Sequence, residues 1–398
     1  MNPNVFPLRA VPGYLATHPG IQIGTYVSSD ATDEDLQFLQ QLGVEWAMVN
    51  INDPTHHSVE HYKRIAERLR PYGIQIYRIA NHEVHNVPEI TLGLPGRDEK
   101  IAQLCAFIRD LGDAGIHHHT YAHMGNGIWS TGHTPGRGGV TARVLDIANA
   151  KGIWNGKEFM GDLTHGRPYS EDEIWENYEY MIRQVAPVAE EAGVFVGIHP
   201  DDPPVYALGG VPRCIFGTFA GYKRALEIAN SPNIGVCLCI GCWLEGGPEG
   251  MGGDVIEAVR YFGNQGKLFK VHFRNVSNPM PEPWRETFID DGYQDMHLVM
   301  RALREVEYDG CIIPDHIPQM VGGGRPGLAY SIAYMRALVQ AVNALRARKP
   351  CLGKRILRLV VAARPYGKRY QAGPEGGERS RLRRARGNEL MDADFLPA

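Results

Sequence analysis

A chain of 398 residues with 43% hydrophobic content can build one large core or two smaller ones. Its formal net charge of -4 gives no general reason to expect nucleic acid or an anionic membrane as partner. Seven cysteines are odd in number and sparse, which argues against a disulfide scaffold and for a reducing compartment.

The opening "MNPNVFPLRAVPGYLATHPG" has prolines where a signal peptide needs an apolar run. No apolar run approaches the roughly 20 residues that span a bilayer. The expectation is a soluble, cytoplasmic protein. Four strands are predicted first, in "IQIGTYV" (21–27), "VEWAMVN" (44–50), "IQIYRIA" (74–80) and "IHHHTYA" (116–122). Helical patterns separate them, among them "DEDLQFLQQLG", "SVEHYKRIAERLRPYG" and "RDEKIAQLCAFIRDLGDAG". These begin near Ser or Asp and end at Gly, as capping chemistry favours. Residues 123–169, rich in Gly, His, Pro and Arg, are too long for a plain loop after the fourth strand and predict a lid or pocket wall.

After the helical "SEDEIWENYEYMIRQVAPVAEEAG" come four more strands: "VFVGIH" (194–199), "IGVCLC" (234–239), "LFKVHF" (268–273) and "GCIIPD" (310–315). Eight strands alternating with helices predict an α/β fold, a (β/α)8 TIM barrel, over residues 1–347. An open doubly wound sheet is the competitor, but no Gly-rich phosphate loop follows the first strand. Residues 348–398 are Arg-rich and lose periodicity except in "RILRLVVAAR", as expected of a basic, flexible C-terminal extension.

In such a barrel, residues at the carboxyl ends of the strands face the active-site mouth. His199 ends the fifth strand, and Cys237 and Cys239 share one face of the sixth. His272 sits late in the seventh, and Asp315 ends the eighth. Four neighbouring strands thus offer metal-type ligands at one level. His316 follows Asp315 onto the loop, free to transfer protons. Arg274 stands two residues past His272, where a guanidinium could clamp a carboxylate. Lys270 lies one layer below, and the successive histidines 117–119 lie low in their strand and read as structural. His123 and His133 are pocket candidates without a spacing argument.

At "IHPDDPP", "KVHFRNV" and "IIPDHIPQM" the sequence resembles the mannonate dehydratase family, metal-dependent barrels of the xylose-isomerase-like group. "LGLPGRDEKIAQLCAFIRDLGDAGI", "GGVPR" (209–213) and "GYQDM" (292–296) support the resemblance, which runs from about residue 20 to 340. It implies a hydro-lyase that converts D-mannonate to 2-keto-3-deoxy-D-gluconate with one Mn2+ or Fe2+ per site. The implied ligands are His199, Cys239, His272 and Asp315, the family's Cys frame falling on Cys239 with Cys237 as fallback. His316 and Tyr330 take the catalytic positions, and His85 falls where the family has a substrate-binding histidine. Tyr121 and Trp129 are kept, with Trp129 facing substrate. Ala122 replaces the family's Asn, an Arg after the Trp is missing, and Ile317 stands where the family has Gly. This pattern preserves reaction type better than substrate. By softness alone, a thiolate with two imidazoles and one carboxylate suits Zn2+ or Fe2+ better than Mn2+.

The implied reaction removes a proton next to a carboxylate and expels the 3-hydroxyl, with Arg274 holding the carboxylate. The implied partner is a small sugar acid, and the protein is expected to be a homo-oligomer in hexuronate catabolism. A metal-dependent sugar isomerase or epimerase is the alternative, but such sites tend to be carboxylate-rich, whereas strands five and seven here end in His. A non-catalytic metal-binding barrel would be marked by loss of the acid–base pair, and both His316 and Tyr330 are present.

Overall fold

A computed structural model of the protein describes residues 6–51, 53–204 and 206–347. Eight parallel strands make the central sheet: β1 (Gln22–Ser28), β2 (Trp46–Asn50), β3 (Gln75–Ala80), β4 (His118–Tyr121), β5 (Phe195–Ile198), β6 (Ile234–Cys239), β7 (Leu268–His272) and β8 (Cys311–Ile313). The hydrogen-bonded order is β3-β2-β1-β8-β7-β6-β5-β4, each strand beside its neighbour in sequence. β3 and β4 approach one another to complete a nearly closed barrel. The predicted strands are all present, within three residues at each end. β6 shows why they were legible: all six of its residues are buried, as a parallel strand covered on both faces requires.

The outer layer consists of α1 (Asp33–Gln41), α2 (Val59–Leu69), α3 (Arg97–Asp113), α4 (Glu171–Glu191), α5 (Phe219–Ala229), α6 (Ile240–Met251), α7 (Val255–Asn264), α8 (Met296–Glu305) and α9 (Gly324–Ala347). Thr32 with Asp35 and Ser170 with Glu173 form capping boxes that fix the starts of α1 and α4. Among the described residues no helix is long and apolar enough to cross a membrane.

One segment escaped the sequence pattern. Leu8, Val11, Tyr14 and Ala16 pack against Trp46, Tyr77 and Phe269 inside the barrel, at the amino-terminal end of its strands. The Tyr14 hydroxyl donates to Tyr77 O at 2.5 Å, and the Tyr77 hydroxyl donates to Phe269 O at 2.6 Å. The chain before β1 thereby plugs the floor of the barrel.

The insertion after β4 forms two small antiparallel sheets. In one, Lys151–Trp154 pairs with Ile128–Ser130 on one side and Lys157–Phe159 on the other. In the other, Gly132–Pro135 and Thr141–Leu145 continue onto Trp284–Thr287 and Asn275–Val276, which follow β7. Thr141 also exchanges two backbone hydrogen bonds with Gln319, in the loop after β8. The insertion is therefore a wall joined to the loops after β7 and β8, on the side where strand-end residues converge. The expected basic extension, 348–398, lies outside the described residues.

Phe262 of α7 is fully buried against the rings of Phe219 and Tyr222, at 5.6 and 5.8 Å between centroids. Truncation to Ala should lower stability by about 3–5 kcal/mol, the range for a large core aromatic. A urea midpoint unchanged in Phe262→Ala would contradict this packing.

Candidate active site

His199 follows β5 directly, and its backbone N–H donates to Tyr121 O at 2.8 Å, which ties it to β4. Its Nδ1 lies 2.7 Å from Pro200 O, which can only accept, so Nδ1 carries a proton and Nε2 is the ring nitrogen turned toward the neighbouring strands. That Nε2 stands 3.3 Å from His272 Nδ1. His272 Nδ1 is 3.4 Å from Asp315 Oδ1, and Cys239 Sγ is 3.7 Å from Asp315 Oδ2. Register explains the convergence: Cys239 is paired directly with His272, and His272 with Ile313, two residues before Asp315.

Among the described residues three triplets of potential ligand atoms lie within 4.8 Å: Cys239, His272 and Asp315; His199, Cys239 and Cys242; and Asp202, Cys242 and Glu245. Cys239 belongs to the first two. Cys237 belongs to none; it pairs in register with Lys270. Burial disfavours the Cys237 thiolate, but the Lys270 and His272 charges pull the thiol down to about 6. The donors suit a divalent ion. Tetrahedral bonds of about 2.0–2.1 Å to nitrogen set two imidazole nitrogens roughly 3.3 Å apart, which is the separation of His199 from His272.

His316 adopts a left-handed backbone, φ 47°, and leaves the ligand layer. Its Nδ1 lies 2.6 Å from Glu286 Oε1, while Nε2 is 3.9 Å from Asp315 Oδ1. Burial opposes protonation of this ring, but the Asp315 and Glu286 carboxylates raise its pKa.

Residues 157–349 match the family model for D-mannonate dehydratase (UxuA). The mannonate dehydratase of Streptococcus pneumoniae is 31% identical over 302 residues, covering 70% of this chain and 79% of that protein. The chain belongs to the mannonate dehydratase family. Mannonate dehydratase 2 of Halalkalibacterium halodurans is 27% identical over 305 residues, 70% of this chain and 86% of that one. The crystal structure of mannonate dehydratase from Streptococcus suis serotype 2 superposes with a TM-score of 0.72 at 25% identity, covering 87% of this chain and all of that one. A xylose isomerase domain protein from Planctomyces limnophilus, at 16% identity and a TM-score of 0.55 over 82% of this chain and 99% of its own, shares the fold.

The other candidate residues of this mannonate dehydratase family member find different partners. Arg274 is buried in the cluster but directs its donors at protein groups. Nη1 donates to Glu286, Nη2 donates to Glu245 Oε1 at 2.7 Å, and Nε lies 3.4 Å from Asp315 Oδ2. Tyr330, on α9, accepts a hydrogen bond from Arg137 at 3.4 Å and packs edge-on against Phe288. Its described contacts are with this rim group and not with the ligand cluster. His85 is buried beside Trp154, its Nδ1 2.9 Å from Thr120 O, and burial lowers its pKa well below the usual histidine range. The Trp129 backbone N–H donates to Asp202 O at 3.1 Å, and its indole N–H donates to Asn126 at 3.3 Å. His123 is buried against Tyr178 and Phe216, and His133 is exposed on the hairpin. Lys270 Nζ is buried without a hydrogen-bond partner.

Arg143, Asp202, Glu245 and Glu286 were not foreseen as site residues. Arg143, on the insertion strand Thr141–Leu145, donates to Glu286 Oε1 at 2.8 Å and Asp202 Oδ1 at 2.9 Å, and lies 3.2 Å from Glu245 Oε1. Burial would raise Glu286, but His316, Arg143 and Arg274 draw it down to about 2. Burial, then repulsion from Asp202, raises Glu245 well above the usual carboxylate range.

Removing Arg143 leaves Asp202 and Glu286 with one guanidinium between them. Arg143→Met should destabilise the protein by about 3–5 kcal/mol, as expected when one partner of a buried pair is lost. Chemical denaturation checks this, and a loss below about 1 kcal/mol, the scale of an exposed ion pair, would contradict the buried role.

Proposed function

We propose that this member of the mannonate dehydratase family dehydrates D-mannonate to 2-keto-3-deoxy-D-gluconate. One divalent ion, Mn2+ or Fe2+, would be held by His199, Cys239, His272 and Asp315. The observation that supports this most directly is the meeting of four donors from the ends of β5 to β8 beside a histidine held by a carboxylate. With this activity go the remaining expectations, a homo-oligomer working in the cytoplasm in hexuronate catabolism.

When bound, the ion would stabilise negative charge building on the substrate carboxylate as the neighbouring proton leaves. The protein's residues do the rest. Glu286 accepts the Nδ1 proton of His316, which fixes the ring and leaves Nε2 to move a proton at the reacting carbons. Tyr330 serves as the second proton-transfer group, with Arg137 beside its hydroxyl. The insertion supplies a wall that excludes water, and His85 and Trp129 belong to the substrate-binding face. Arg274, whose donors lie on Glu286 and Glu245, acts on the substrate by positioning Glu286, Cys239 and Asp315 and not by a direct clamp.

His199→Ala, Cys239→Ser, His272→Ala and Asp315→Ala should each lower bound metal and activity together. Full metal in Cys239→Ser with loss in Cys237→Ser would transfer the ligand role to Cys237. His316→Asn and Tyr330→Phe should retain metal and fold yet lose about 10²-fold or more in kcat, the usual size of a general acid–base contribution.

The decisive assay is metal-reconstituted enzyme against a panel of aldonic acids, with 2-keto-3-deoxy products detected. In heavy water the product should carry a solvent deuteron at C3, because the enol formed on dehydration is ketonised there. Absence of any dehydration product across the panel would favour the isomerase or epimerase reading.

A further inference from the structure

The motif Cys239-Ile240-Gly241-Cys242 holds a second thiol that the proposed reaction does not use. Cys239 ends β6 and caps α6, so Cys242 lies in the first turn of that helix. The Cys239 sulfur accepts the Cys242 backbone N–H at 3.4 Å and Arg274 Nη2 at 3.6 Å. The same Nη2 lies 3.1 Å from Cys242 Sγ, and the Cys242 thiol donates to Asp202 Oδ2 at 3.5 Å. The two sulfurs are within 4.8 Å of each other. One guanidinium therefore faces both sulfurs, the Cys242 thiol is hydrogen-bonded to a carboxylate, and the spacing is that of a redox pair at a helix amino terminus. The close approach of Arg274 depends on Gly241, where a Cβ would lie 2.0 Å from Arg274 Nε.

We infer that Cys239 and Cys242 form a covalent modification site, a reversible disulfide made by a peroxide oxidant when no metal holds Cys239. The Cys239 thiolate attacks one oxygen of hydrogen peroxide; the S–O bond forms, the O–O bond breaks and hydroxide leaves, giving the sulfenic acid. Cys242 then attacks the Cys239 sulfur, its proton passing by way of Asp202 to the leaving oxygen. The S–S bond forms, the S–O bond breaks, and the departing hydroxide takes up the proton to become water. The two sulfurs together lose two electrons and one peroxide is reduced. Both cysteines are fully buried, so the oxidant must be small, as peroxide, about the size of water, is. A disulfide at Cys239 deprives the ion of a ligand, so oxidation and metal binding exclude one another. That exclusion rests on the proposed ligand role of Cys239; the disulfide itself does not.

The test is a peptide map of the full-length protein after hydrogen peroxide, with and without prior chelation. The chelated protein should yield a peptide with Cys239 and Cys242 linked, reversed by dithiothreitol together with recovery of Mn2+ binding. At Mn2+ ten times its Kd, linkage should slow about tenfold by mass action. In Cys242→Ser, Cys239 should proceed to the sulfinic acid, and dithiothreitol should not restore Mn2+ binding. Sulfinic acid at Cys239 of the unmutated protein without linkage, or linkage of Cys237 to either residue, would overturn the proposal. The unmutated protein decides this alone should Cys242→Ser not fold. A disulfide that forms equally fast with and without Mn2+ would sink the ligand role of Cys239 and leave the modification site standing.

Discussion

Charge removed from water must find a partner, and around the ends of β5 to β8 this protein removes a great deal of it. Arg143 and Arg274 lie between Asp202, Glu245 and Glu286, with no side chain of the five more than 9% exposed. Desolvating each such ion costs several kcal/mol, and only close, hydrogen-bonded opposite charges offset it. That constraint fixes side-chain positions more tightly than apolar packing could, because a displaced guanidinium would leave a carboxylate bare. The proposed ligands inherit this order. Arg274 touches Cys239 and Asp315, and Glu286 touches His316, so the ion-pair network and the proposed chemistry share one set of contacts.

The network also accounts for the architecture at the mouth. Its members come from the insertion, the segment after β5, helix α6, and the strands that follow β7. Joining them into one charge-balanced group requires that these segments pack together, and the small sheet pairing Thr141–Leu145 with Trp284–Thr287 does so. Wall and floor are built by different means. Charge and hydrogen bonds organise the carboxyl-terminal end, and aromatic packing around Tyr14 and Tyr77 closes the amino-terminal end.

These differences decide what could be read from sequence. The strands and the levels of His199, His272 and Asp315 follow from a period of two and from the rule that strand ends face the mouth. Cys237 and Cys239 share a face, so alternation alone could not separate them; what distinguishes them is their register, Cys239 beside His272 and Cys237 beside Lys270. Glu286 and Arg143 had no such signal. They sit on strands outside the barrel, and their segments pair across more than a hundred residues of intervening chain. Spacing puts Arg274 two residues past His272, but it says nothing about which carboxylates a guanidinium will meet. Tyr330 shows a similar gap: its position on α9 is legible, but its turn toward Arg137 depends on a hairpin that no local pattern foretells. The floor plug was missed because Leu8, Val11 and Tyr14 fit neither a helical nor a strand period.

The hairpin carrying Arg143 cannot be treated as an exchangeable decoration of the barrel. Loops on such scaffolds are ordinarily free to vary in length and sequence, which is what makes them attractive for grafting. Here the graft would remove a cation from the interior along with the loop. A replacement hairpin lacking a guanidinium at that depth would strand Asp202 and Glu286 around Arg274 alone, while one shifted by a single residue would turn the arginine to the opposite face of its strand. Recombination between this chain and another barrel is therefore expected to be tolerated only where the hairpin travels together with the segments bearing Asp202, Glu245 and Glu286.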